Sequence, residues 1–306
     1  MTSPGSGGPM PGVGDPITTR TVDRIERRLV AGPDTQVDNK ALVIAPGDFR
    51  RTDPFLLMAE DWFSQSGFDW HPHRGLETVT VVLGGVLEHG DSLGNAGALE
   101  EGDTQWMTAG HGIIHRELAF RNEYVHTLQL WLNLPATKKL VDTHYQDLYA
   151  KTYATYAEPG VTVKVVSGET GGARGPAQNQ HPVLGLLITL DPETDYTQLI
   201  AAHDRAFAYV VTGEVTVCGR RTAEGETAWS DPVAGANGGV SALRLTTGRS
   251  DVPSKVMLFA GEPIREPVVA GGPFVMNSEA EIYQAYRDYE HGKFGPVPRL
   301  GRLQAR

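Results

Sequence analysis

The chain has 306 residues, 40% hydrophobic and 21% charged, which is long enough for two domains that each bury a core. Its formal net charge of −10 argues against a general nucleic-acid binder, which needs a basic surface. The single cysteine, Cys218, excludes an intrachain disulfide and a thiolate metal cage, and no apolar run approaches the roughly 18–20 residues of a membrane span.

Residues 1–18 are mostly Gly, Pro and Ser and read as a disordered leader. They lack the basic and apolar regions of a secretory signal, so the cytoplasm is the expected compartment. Residues 19–30 fit a strand or a short helix equally well, and the arginines Arg24, Arg27 and Arg28 read as solvated. KALVIAP (40–46) is a strand, and Asp53-Pro54 marks a turn before another apolar stretch.

The chemistry concentrates in residues 71–117. His71 and His73 stand two apart, so on an extended segment both imidazoles share a face, and His115 and Glu117 repeat the spacing. Between them the β-branched run 78–81, the Gly84-Gly85 turn and the return strand 86–89 form a hairpin pattern. Antiparallel pairing of the two segments gathers three imidazoles and a carboxylate, a first shell suited to a divalent transition metal. The simpler alternative for any one of these histidines is a half-buried polar residue satisfied by a neighbour; the gathering of His71, His73, His111 and His115 in one stretch favours the metal.

A strand near residues 124–132 places Leu128, Leu130 and Leu132 on one side. Pro135 ends a first domain of residues 19–135, and 136–160 read as a partly helical connection. A second domain spans 161–295, with a tail at 296–306. VVLGGVL at 81–87 is echoed by VVTGEVT at 210–216, which indicates two copies of one β-fold. In that register Ile200 and Ala202 replace His71 and His73, so one metal site per chain is expected, in the first domain. Ser278 and Glu281 form a capping box for a helix presenting Ile282, Ala285, Tyr286 and Tyr289, which Gly292 ends.

The motifs HPHRGLETV, DSLGNAG, GDTQWMTAG-HGIIHRE and PFVMNSEAEI, in that order, resemble the pirin family of the cupin superfamily. The resemblance implies an all-β bicupin: two antiparallel β-barrel (jelly-roll) domains with a short C-terminal helix. It implies one iron site in the N-terminal barrel, with His71, His73, His115 and Glu117 as ligands. Glu77 is expected behind the ligands, and would replace Glu117 should that residue point away. Gln105 and His111 are expected beside it, His111 standing where the family commonly has Arg.

Such ligation suits Fe(II) and tolerates Mn, Co, Ni, Cu or Zn. Adjacent open positions on the metal would acidify a chelating aromatic enol and bring dioxygen beside it, with Glu117 as the catalytic proton acceptor. The resemblance therefore implies a metal-dependent dioxygenase of the quercetin 2,3-dioxygenase kind, acting on a small aromatic or enol substrate with O2. The alternative it carries is a non-enzymatic metal- or redox-sensing regulator that binds a transcription factor or a metabolic enzyme. Neither role requires direct contact with nucleic acid or a membrane.

Overall fold

The computed structural model describes residues 17–64, 67–235 and 238–297. Nearly all of the expected leader and tail therefore lies outside the described residues. Alternating apolar residues and glycine turns build an all-β bicupin. In the first half, a seven-stranded sheet runs in the order His144–Leu148, Thr104–Thr108, Leu76–Gly84, Val125–Asn133, Phe55–Phe63, Asn39–Ile44 and Leu29–Val30. A four-stranded sheet faces it, in the order Gly67–His73, Ile113–Ala119, Val86–Asp91 and Ala96–Glu100. The second half repeats the plan with one seven-stranded and one five-stranded sheet. The echoed motifs occupy equivalent corners, where the chain turns at Gly85 (φ 77°) and Gly213 (φ 83°) and passes from the seven-stranded sheet to its partner. The expected hairpin does not form: Leu76–Gly84 pairs with Thr104–Thr108 and Val125–Asn133, and Val86–Asp91 with Ile113–Ala119 and Ala96–Glu100.

The two seven-stranded sheets stack back to back. Val79, Val81, Trp106, Leu128, Leu130 and Leu132 of the first meet Phe207, Tyr209, Trp229, Met257 and Phe259 of the second. The three leucines thus face the joint between the halves, while Gln129 and Trp131 between them point into the first barrel. Phe207 anchors the joint, edge-on to Phe55 at 4.9 Å and stacked on Phe259 at 5.6 Å. Glu60, 1% exposed, crosses the same joint: it accepts from Tyr209 Oη at 2.5 Å and is hydrogen-bonded to His126 Nε2 at 2.9 Å. Burial alone would raise its pKa, but those two partners and the Arg28 charge hold it below the usual carboxylate range.

Strand pairing redraws several expected boundaries. Thr18–Thr19 and Arg24–Arg27 pair with Val240–Thr246 and Glu226–Ser230 of the second half, although residues 19–30 were assigned to the first domain. The arginines there are not simply solvated, since Arg28 pairs with Glu60 and Arg24 lies 4.3 Å over the Trp229 ring. Within 136–160 the only helical pieces are the 3-10 turns Ala136–Lys138 and Ala150–Thr152. That segment instead supplies an edge strand to each half, His144–Leu148 and Ala154–Glu158. The capped helix forms at Glu279–Glu290, with Ser278 Oγ accepting from the Glu281 amide at 3.4 Å; Ile282 and Ala285 are buried, while Tyr286 is 40% exposed. No described helix is long and apolar enough to cross a membrane. Phe207→Ala should cost about 3–5 kcal/mol of unfolding free energy in urea titration, as expected for deleting a buried aromatic side chain.

Candidate metal centre

Antiparallel pairing of Gly67–His73 with Ile113–Ala119 sets His115 directly opposite His71. Pro72 is accommodated because Gly67–His73 is an edge strand of its sheet. Between His115 and Glu117 the register shifts, Glu117 pairing with Phe68, so the edge strand carries one extra residue there. The rings converge, with centroids 4.3 Å apart for His71 and His115, 5.0 Å for His71 and His73, and 5.1 Å for His73 and His115. One ligand atom from each lies within 4.8 Å of the others, and this is the one group of metal-ligating side chains found among the described residues.

Their electrostatics match a metal. His73 and His115 are 2% and 0% exposed; burial, followed by the neighbouring imidazoles, pushes both pKa values well below the ordinary histidine value. They are therefore neutral near pH 7, the state a metal requires. Backbone carbonyls fix two tautomers: His71 Nδ1 donates to Asp69 O at 2.8 Å and His73 Nδ1 to Pro273 O at 3.2 Å. In each ring Nε2 keeps its lone pair. His73 Nε2 and both His115 nitrogens are buried without a hydrogen-bond partner. An ion between the rings would satisfy His73 Nε2 and one of the His115 nitrogens, so the residues fit a metal.

Glu117 is 2% exposed and faces the same interior, but its carboxylate is already engaged. Oε1 accepts from Thr80 Oγ1 at 2.9 Å and Oε2 from Gln129 Nε2 at 2.7 Å, and it is not part of the three-histidine group. Gln105 lies inside, level with Thr80 in the sheet, fully buried and with both amide atoms unpartnered. The other two supporting residues lie elsewhere. Glu77 falls on the opposite sheet face, toward the joint, accepting from Thr108 Oγ1 at 2.6 Å and the Gln180 amide at 3.2 Å. His111 is exposed and takes part through its backbone, its carbonyl accepting from Arg74 Nε at 2.7 Å.

The interior also holds groups absent from the sequence reading. His89, register partner of Glu117, is 1% exposed, donates from Nε2 to Asp147 Oδ2 at 3.2 Å, and stacks on Tyr145 at 4.8 Å. Burial and the Asp147, Glu117 and Asp91 charges raise the Tyr145 pKa well above its usual value, so its hydroxyl stays a donor. Trp131 lies edge-on to His73 at 5.0 Å. His89 shares the strand parity of Leu87 and was legible as inward-facing; Tyr145 and Asp147 come from the segment read as a connection.

The first half, residues 43–132, matches the family model for pirin, and residues 185–295 match the pirin C-terminal cupin domain. This chain belongs to the pirin family. Pirin-1 of Arabidopsis thaliana is 41% identical over 272 residues, covering 88% of this chain and 90% of that protein. Human pirin is 38% identical over 250 residues, covering 81% and 85%. Among solved structures, a quercetin 2,3-dioxygenase from Acinetobacter baumannii superposes with a TM-score of 0.80 at 28% identity, covering 91% of this chain and 99% of that one.

Two outcomes follow from the pirin site. His73→Ala should remove most bound divalent metal, measured by elemental analysis after dialysis, while keeping the β-sheet circular-dichroism signal. Burial pushes the Glu77 carboxyl up to about 7. The native state therefore holds a proton that the unfolded chain releases near pH 4.5, so stability falls as pH rises from about 4.5 to 7. Glu77→Gln removes that slope, and its unfolding free energy relative to the native protein, from urea titration, should rise between pH 5 and pH 8 by on the order of 1–3 kcal/mol.

Proposed function

We propose that this pirin-family chain is a metal-dependent dioxygenase that opens quercetin or a related aromatic enol with O2, using Fe(II) held by His71, His73 and His115. The observation that carries this reading is the convergence of three imidazoles, two of which, His73 and His115, are buried with ring nitrogens that lack hydrogen-bond partners. The fold shared with a quercetin 2,3-dioxygenase supports it. Mn, Co, Ni, Cu or Zn would fit the same donors. When bound, the ion supplies Lewis acidity and, if redox-active, an electron partner for dioxygen.

The chain's own residues do the rest. Glu117 serves as fourth ligand once the bond from Thr80 or Gln129 yields, or takes the enol proton from the position where those two residues hold it. The Gln105 amide and the Tyr145 hydroxyl offer hydrogen-bonding groups to a polar aromatic substrate. Trp131 supplies an aromatic wall beside His73.

Oxygen uptake by the iron-loaded protein with quercetin, run beside His73→Ala and free iron, tests the proposal. Uptake that exceeds free iron and disappears in the variant is the expected result. Uptake no faster than free iron, in a protein that retains its metal, would sink the dioxygenase reading and leave the site to sensing or partner binding.

A further inference from the structure

The last described part of the second half leaves its own barrel. It comprises the hairpin Val269–Gly271 with Phe274–Met276, the helix Glu279–Glu290, and Phe294. These elements pack on the outside of the four-stranded sheet that carries the histidines. Phe274, Met276, Ile282, Ala285 and Phe294 form one buried cluster with Ile114 of the strand that holds His115.

Polar contacts run from this segment to both histidine-bearing stretches. On one side, Pro273 O accepts from His73 Nδ1, and the next residues form a short parallel bridge in which the Val275 amide donates to Arg74 O at 3.1 Å. Gly75 allows that approach: a Cβ there would lie 2.1 Å from Val275 O. Lys139 Nζ closes the seam, donating to Gly75 O at 2.8 Å and Val275 O at 2.9 Å. On the other side, Ser92 Oγ donates to Phe294 O at 2.8 Å and accepts from the Ile114 amide at 3.1 Å, one residue before His115.

Arg74 joins the two sides. It is 7% exposed, directly follows His73, and donates to the His111 carbonyl in the loop that leads to His115. From the helix, Asp288 receives Arg74 Nη1 at 2.9 Å, and the Phe294 ring lies 4.6 Å from the guanidinium. One buried cation therefore ties both histidine-bearing stretches to the C-terminal helix.

We propose that residues 269–294 act as a clamp that sets the geometry of the metal centre, with Arg74 and Asp288 as positioning residues. The inference rests on the three-histidine metal reading but not on any dioxygenase activity. A group that orients a ligand's second nitrogen and backbone normally changes metal affinity by about 10–100-fold when lost. Coupling is reciprocal, so bound metal must also stabilise the docked clamp.

The test uses the full chain with nickel(II) alone. Nickel should slow hydrogen exchange at the Val275 amide and along the helix Glu279–Glu290. Asp288→Asn, and Asp288→Asn with Phe294→Ala, should speed that exchange, weaken nickel binding by calorimetry about tenfold or more, and alter the visible spectrum of the cobalt-substituted protein. Phe207→Ala, which destabilises the distant joint, should leave nickel affinity within twofold of native, separating positioning from general loss of stability. Clamp exchange unaffected by nickel, or nickel affinity within twofold of native in both clamp variants, would overturn the proposal. A native chain that binds no nickel would overturn the metal reading along with it.

Discussion

The site depends on the pairing that places His71 opposite His115. Side chains on a strand alternate strictly, so a slip of one residue between Gly67–His73 and Ile113–Ala119 would turn one strand's imidazoles away from the other's. The register shift beside Glu117 and the close approach of Gly67 to the Glu117 carbonyl pin the alignment. What the pairing creates is costly in isolation. Each buried nitrogen without a partner is a desolvation penalty of about 1–3 kcal/mol, which a coordinate bond would offset. The metal-free barrel thus stores a demand for an ion at one point.

Much of this was legible because it rests on local periodicity. The spacings of His71 with His73 and of His115 with Glu117, the two Gly turns and the Ser278 cap are all short-range patterns. Glu77 shows where local reading stops. It has the parity of His73, but the turn at Arg74 and Gly75 ends one strand before Leu76 begins another in the opposing sheet, so parity does not carry across. His111 stands out in the sequence for its side chain but contributes its carbonyl. Tyr145 and Asp147 enter the barrel through an edge strand whose partner lies far away in sequence, and no periodicity reports such a pairing.

The two halves share a plan but use their interiors differently. Where the first barrel holds imidazoles and amides, the second is packed with Leu186, Ile188, Tyr196, Ile200, Leu243 and Leu245. Ile200 and Ala202, which occupy the positions of His71 and His73, are 2% and 4% exposed. A filled apolar barrel is a rigid backing, and the back-to-back sheets carry that rigidity to the strands lining the polar interior. One copy of the fold serves as the foundation for the other.

The exchange of strands between the halves bears on how the chain comes to its shape. Thr18–Thr19 and Arg24–Arg27 are made first of the described elements, yet their partners at Val240–Thr246 and Glu226–Ser230 come about two hundred residues later. The segment that covers the histidine-bearing sheet is made last of all the described elements. Neither half is therefore a complete folding unit: a break near Pro135 would strip edge strands from one and the outer cover from the other. Such distant pairings form late, because loop closure must precede any gain from contact. During synthesis the histidines can meet before the hairpin and helix that pack behind them exist, and the barrel acquires its outer wall only once residues 269–294 have been made.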